Sequence, residues 1–421
     1  MSFSGRAERR AAGRQNQRPP RFLAGVLGLS FLAAARGAPT AGAAGPSPLV
    51  PTEGGPAVEV IEYENADVSP WAEFFAFDSP NHPKIVQLRK QEKLDELLAG
   101  AKTDLERAVR LKAWVAGTLQ FGRPTPEVFS DWSAVALMEK IKAGQRVWCG
   151  QAAMVVQQAC IAMGLPARFI ELGNRESPAC HFTTEVFLRE HGKWAVVDCT
   201  PLEEFDVYYT VGRVPQSALE MHRHVVDGTM EKVTEVHPDR SHPVKDPKSP
   251  AWTFYYVRWL TRCDVVTNTP EFRDMENVFD KRWHTVEWRD DKAVPWERSK
   301  HTQWWTRNVR QAAWNTSNPD VVSWKPSKRT KIELRPGPKD RVYVQLWTAD
   351  LDFGHFEVRI DDRPWERLPE GNVDVWSGLK FGWGPERCSL AATPGTHRVD
   401  ARAVSRDGTK NPESFVWFRV K

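Results

Sequence analysis

With 421 residues the chain is long enough for two or three domains with separate cores, and its 41% hydrophobic content reads as globular rather than disordered. Its net charge of +4 misleads until it is divided: residues 1–43 hold seven arginines against one acid, Glu8, and leave the rest of the chain at about −2. A basic folded surface therefore has no support, and no nucleic-acid partner is expected.

Residues 1–43 begin with an arginine-rich head and continue through the apolar run FLAGVLGLSFLAAA (22–35) into the small residues RGAPTAGAAG. That order of positive flank, short apolar stretch and small residues is the pattern of a secretory signal peptide. The run is shorter than the roughly 20 residues that span a bilayer, so no transmembrane segment is expected in the mature chain. The expected location is outside the cytoplasm: periplasmic, cell-surface or extracellular. Arg9 and Arg10 stand well before the apolar run and leave the export route open.

Residues 44–56, AGPSPLVPTEGGP, read as a flexible lead-in, and VEVIEY (58–63) as a short strand. Apolar periodicity predicts helices over 84–100, 104–122 and 130–144, each closed by a glycine, the last opened by a capping Ser or Asp. A further helix follows Cys149 with Ala152, Val156, Ala159 and Met163 on its apolar positions, and Gly164 ends it. LPARFIEL, HFTTEVFLRE and KWAVVDCT read as strands, the last two joined by a turn at His191–Gly192. The pattern weakens over 205–250, and residues 237–250 read as a surface connection. Residues 251–330 hold nine tryptophans, for which packing is favoured over an exposed glycan-stacking surface. From 331 onward, short alternating runs separated by turn signals predict an all-β sandwich of the immunoglobulin or fibronectin kind.

Six cysteines stand at 149, 160, 180, 199, 263 and 388, and none forms a CxxC pair, so a tetrahedral zinc site has no support. His222, His224, His237 and His242 lie in a polar stretch without HExxH or similar spacing and are expected to be solvated. Glu203 and Glu204 read as adjacent exposed carboxylates. No metal and no cofactor is expected.

Chemistry is concentrated elsewhere. A thiol becomes a strong nucleophile as the thiolate, which the unpaired N–H groups and partial positive charge of a helix N-terminus favour. Cys149 falls at such a start, with Gly150 beside it to let a substrate approach. A proton acceptor is available in His181 near the head of one strand, and an orienting carboxylate in Asp198 near the end of the next. In an antiparallel hairpin, opposed residue numbers have a constant sum, so any odd-sum register puts His181 and Asp198 on one face. Cys180 and Cys199 then share the opposite face, as small core residues in preference to a cross-strand disulfide.

The order WCGQA on a helix, GLPARF, HFTTEVF and KWAVVDCTP resembles the transglutaminase-like superfamily, the papain-like thiol enzymes, over roughly residues 104–205. The following YYTVGRVPQSALEMHRH resembles what succeeds the core in bacterial members, so the resemblance is to a bacterial secreted type. It implies an α+β core with the nucleophile helix packed on an antiparallel sheet. Carried over residue by residue, Cys149 is the nucleophile, His181 the base and acid, and Asp198 the orienting group. No calcium-site pattern of the family is evident. Gln145 and the indole N–H of Trp148 are candidate donors to an oxyanion, beside the Cys149 backbone N–H.

The expected organisation is a signal peptide (1–43), a lead-in (44–56), a catalytic core (57–225), a Trp-rich accessory or linker region (226–330) and a β-sandwich (331–421). The expected activity is attack on a carboxamide or peptide bond through a thioester, with hydrolysis preferred over amine transfer because nothing identifies an amine-acceptor site. Proteins, peptides or glycopeptides are the expected substrates, with a cell-wall or surface glycan left open as a partner. A rival from another class is a non-catalytic surface or scaffold protein that binds through the Trp-rich region and the sandwich.

Overall fold

The computed structural model describes residues 47–368 and 389–421, apart from 51–54, 70, 73–74, 127, 129–130, 176–179, 201–205, 239, 246–248, 264–265, 267–284, 291, 293–312 and 338–340. The expected signal peptide, the Glu203–Glu204 pair and Cys388 lie outside the described residues. Among the described residues, no helix is long and apolar enough to cross a membrane.

The chain enters through its C-terminal part. Residues 48–50 are anchored: Val50 N–H donates to Leu334 O at 2.9 Å and Leu334 N–H to Pro48 O at 2.6 Å. Next come β1 (Val58–Glu64) and the short β2 (Ala76–Phe77). The periodic stretch expected as one helix over 84–100 is two, α1 (Pro83–Gln91) and α2 (Leu94–Leu97), because Lys93 takes a left-handed conformation with φ 51°. α3 (Asp104–Thr118) is capped by Thr103, whose hydroxyl accepts from Glu106 N–H at 3.1 Å, while Glu106 accepts from Lys102 N–H at 2.6 Å. α4 (Ala134–Lys142) starts later than its pattern suggests, with Ser133 as the cap and Asp131 accepting from Ser133 N–H at 2.7 Å.

α5 (Cys149–Ala162) is apolar on all sides and, past Cys149, wholly buried, as expected for a helix that packs all round. Its two interior glutamines reach backbone groups, Gln158 through both ends and Gln157 through its amide nitrogen alone. Gln158 accepts from Ala134 N–H at 2.7 Å and donates to Trp132 O at 3.0 Å, and Gln157 donates to Cys263 O at 3.1 Å. Gly164, at φ +70°, ends the helix, and Leu165 N–H reaches back to Cys160 O at 2.9 Å.

β3 (Ala167–Gly173), β4 (Cys180–Leu188), β5 (Lys193–Val197), β6 (Tyr208–Val211) and β7 (Val214–Pro215) follow. The weakly patterned stretch contains α6 (Ala218–Val226), β8 (Thr234–Val236) and β9 (Ser241–Pro243). A capping box marks the start of α6: the Ser217 hydroxyl accepts from Glu220 N–H at 3.3 Å and Glu220 accepts from Ser217 N–H at 2.8 Å. β10 (Tyr256–Leu260), β11 (Arg262–Cys263), β12 (Thr285–Trp288) and β13 (Ala313–Thr316) come from the Trp-rich region.

These strands form one ten-stranded sheet in the order β13-β12-β10-β3-β4-β5-β6-β8-β9, with β7 on β6, antiparallel except between β12 and β13. The described strands β10, β12 and β13 of the Trp-rich region therefore lie in the same sheet as β3 and β4. A buried ion pair ties them in. Arg168 on β3 binds Glu185 on β4 at 2.7 Å, lies 4.1 Å over the Trp194 ring and donates to Val322 O at 2.6 Å. Glu185 also accepts from Trp259 Nε1 at 2.7 Å and from Ala218 N–H at 2.6 Å. Trp259, Trp288 and Trp324 are buried, so packing accounts for them, whereas Trp283, Trp296, Trp304 and Trp305 lie outside the described residues.

The C-terminal part contributes β14 (Ser327–Gly337), β15 (Arg341–Ala349), β16 (Phe353–Ile360), β17 (Glu366–Arg367), β18 (Ser389–Ala391), β19 (Gly395–Ser405) and β20 (Ser414–Val420). Two antiparallel sheets, β1-β20-β19-β16-β17 and β14-β15-β18, share a second apolar cluster that includes Leu334, Val344, Phe356, Val399 and Phe418. The strand expected to open the core, β1, pairs instead with β20. Alternation along VEVIEY fixes that it is a strand but not which sheet receives it.

Candidate active site

Three local devices fix where α5 begins. Val147 bridges Phe121, its N–H donating to Gln120 O at 3.0 Å, and Gly122 N–H donates to Val147 O at 3.1 Å. Trp148 N–H donates to the side-chain oxygen of Gln151 at 2.9 Å. Cys149 is thus the first helical residue, half-buried, with the unpaired first-turn N–H groups and the positive end of the helix dipole around it. A Cβ on Gly150 would meet Phe182 at 3.7 Å and Trp132 at 3.9 Å, ordinary contacts, so packing does not require a glycine there.

The sheet delivers the other two groups. The β4–β5 ladder pairs Thr184 with Val197 and Leu188 with Lys193, an odd-sum register that puts His181 and Asp198 on one face, diagonally related. His181 Nε2 is hydrogen-bonded to Asp198 Oδ2, and both side chains are buried. Asp198 is itself held from two sides. Its Oδ1 accepts from Thr200 N–H at 3.0 Å, and its backbone exchanges hydrogen bonds with Val207 at 2.9 and 3.2 Å.

Burial opposes a charged His181 ring, but the Asp198 carboxylate outweighs it through charge and hydrogen bond, and the Cys149 side chain adds in the same sense. The ring is held at about 10 and carries its proton at neutral pH. With Nε2 committed to Asp198, Nδ1 is the nitrogen left for the sulfur. The structure thus brings Cys149, His181 and Asp198 together in that order of contact.

The remaining thiols are of another kind. Cys160, Cys199 and Cys263 are free and buried. Burial pushes Cys160 up to about 12 and Cys199 well above the usual thiol range. Because Cys199 is free, it makes no bridge to Cys180. Among the described free cysteines, only Cys149 is not buried.

Gln145 is half-buried in the turn after α4, with its side-chain oxygen accepting from the Thr125 hydroxyl at 3.0 Å. The Trp148 side chain, 39% exposed, lies beside the nucleophile position. The histidines expected to be solvated are not uniformly so. His222 is buried on α6, with Nδ1 at 3.0 Å from Tyr255 O and Nε2 at 3.0 Å from Asp290, a partnership made by chain segments far apart in sequence. His224 contacts the Thr229 hydroxyl at 2.8 Å, and His237 is buried beside an exposed His242. The sequence reading also missed Lys112, fully buried on α3 and paired with Asp206, and Gln151, which caps the Trp148 N–H although a Trp N-cap gives no capping-box signal in the sequence.

A family model described as the transglutaminase-like superfamily matches residues 91–199, which span α2 to β5 and include Cys149, His181 and Asp198. Over that stretch the chain is similar to this superfamily, whose members are generally cysteine-dependent enzymes. No curated protein matches the chain.

Proposed function

We propose that this protein is an exported thiol enzyme that opens carboxamide or peptide bonds through a Cys149–His181–Asp198 triad. The observation that carries the reading is the His181 ring, charged by Asp198 and turned toward the only described free cysteine that is not buried. In this mechanism the Cys149 sulfur attacks the carbonyl carbon, and the C=O pair moves onto oxygen to give a tetrahedral oxyanion. The Cys149 N–H and either Gln145 or Trp148 supply the donors that stabilise it. As the C–N bond breaks, His181 passes its proton to the departing amine and leaves a thioester on Cys149. Water, deprotonated by His181, then releases the acid and restores the sulfur. Asp198 keeps the ring in one orientation and stabilises its charge.

Hydrolysis is preferred over transfer to a second amine, since the half-buried Cys149 beside an exposed Trp148 leaves water a route to the thioester. Peptides, proteins or glycopeptides are the proposed substrates. The arginine-rich, apolar and small-residue order of residues 1–43 supports export, and the two C-terminal sheets are proposed to be an immunoglobulin- or fibronectin-like sandwich. The test is release of ammonia or amine from a panel of peptides and glycopeptides. Turnover lost in Cys149→Ala supports the reading, and turnover retained in that variant refutes it.

A further inference from the structure

We propose that Glu235, His237 and His242 form a binding site for one divalent transition-metal ion of the Zn²⁺ class, on the β8–β9 hairpin and separate from the thiol centre. The hairpin register places Glu235 directly opposite His242. His237 lies just beyond β8 and is drawn back over the turn by its N–H, which donates to Arg240 O at 2.8 Å. Glu235 Oε2 stands 3.6 Å from His242 Nδ1 and 4.0 Å from His237 Nε2, and one ligand atom from each residue lies within 4.8 Å of the others. The two imidazoles are stacked, with centroids 5.3 Å apart.

Two further features distinguish this cluster from a chance gathering of polar side chains. Glu235 is buried, and its second oxygen accepts from the Ser249 hydroxyl, which leaves Oε2 for the histidines. His237 is only 7% exposed, yet among the described residues no hydrogen bond reaches its ring, and Nδ1 is fully enclosed. Nothing in its own hydrogen bonding explains why the ring is held there.

Two imidazoles and one carboxylate are a zinc donor set, with exposed His242 on the side where water or another ligand enters. Metal–ligand bonds of about 2.0–2.1 Å in a tetrahedron require donor atoms roughly 3.4 Å apart. The spacings of 3.6 and 4.0 Å to Glu235 are longer than that, so binding draws the side chains together and turns the stacked rings until their in-plane lone pairs converge. The ligands come from opposite arms of a hairpin rather than one turn of a helix, which is why no spacing motif marks them. An ion there would fasten the outermost strand of the ten-stranded sheet.

The test uses the full chain carrying Cys149→Ala, so that the thiol cannot serve as a ligand, stripped with a chelator and titrated with Zn²⁺ by calorimetry. Saturable binding of a single ion is expected, weakened at least about tenfold in His242→Ala and in Glu235→Gln. His242 is exposed and Gln can keep the Ser249 contact, so both variants retain the fold, which circular dichroism verifies. Co²⁺ substitution should give visible bands of a nitrogen–oxygen site without a thiolate band. Absence of saturable Zn²⁺ binding, or equal affinity in the parent and both variants, overturns the proposal.

Discussion

Replacing Asp198 with Asn tests the electrostatics of the site with little change of shape. His181 sits at about 10 against an ordinary value of about 6.5, and at 1.36 kcal/mol per unit the site favours the charged ring by on the order of 5 kcal/mol. Burial acts against this, and the Asp198 carboxylate is the main force opposing burial. In Asp198→Asn, the Thr200 N–H retains the amide oxygen as its acceptor, which turns the amide NH₂ toward His181 Nε2. That nitrogen must then accept, so the ring is neutral with its proton on Nδ1, facing the sulfur it is required to deprotonate. The assay is NMR of histidine-labelled protein, with His181 assigned by the loss of its signals in His181→Gln. The ring should titrate near 10 in the parent and at least about two units lower in Asp198→Asn, with turnover down about 10⁴-fold. The sign for stability follows. A folded-state value above the unfolded one gives a contribution fully present below pH ~6.5 and lost as pH rises through ~10, and the variant should lose that slope. A parent ring titrating near 6.5, or a shift of less than one unit in the variant, would show that Asp198 does not hold the proton on His181.

Arg168→Met should lower unfolding free energy by about 3–5 kcal/mol in denaturant titration, because it strands the buried Glu185 carboxylate, and Arg168→Met/Glu185→Leu should recover part of that loss. Glu171→Gln should stabilise the protein at neutral pH. Burial raises Glu171 above the usual carboxylate range, with Glu287 adding and Arg258 opposing, so folding carries a cost that appears as pH rises past the unfolded value near 4.5. The gain measured by denaturation should vanish below pH ~4, and a gain that persists there would contradict this account.

The legible parts of the sequence are those where local chemistry decides. Gly164 ends α5 because only a left-handed residue suits that position, and the parity of His181 and Asp198 survives any odd-sum register, including the one adopted. The illegible parts depend on partners far along the chain. β1 finds β20 across most of the protein, and β10 joins β3, where Trp259 also reaches a β4 glutamate 74 positions earlier. Lys93 ends a helix whose periodicity runs on, since nothing in a lysine announces a positive φ. His237 and His242 looked like loop residues because a hairpin, not a helical turn, brings them to Glu235.

The proposed chemistry passes through an acyl group carried on the Cys149 sulfur. Rapid acid quenching of the full chain with a peptide and glycopeptide panel, followed by mass spectrometry of the peptide containing Cys149, detects that species. A hydroxylamine-labile adduct is expected on Cys149 and absent in His181→Ala. Substrate turnover with the adduct on another residue, or with none forming on Cys149, rules the thioester out.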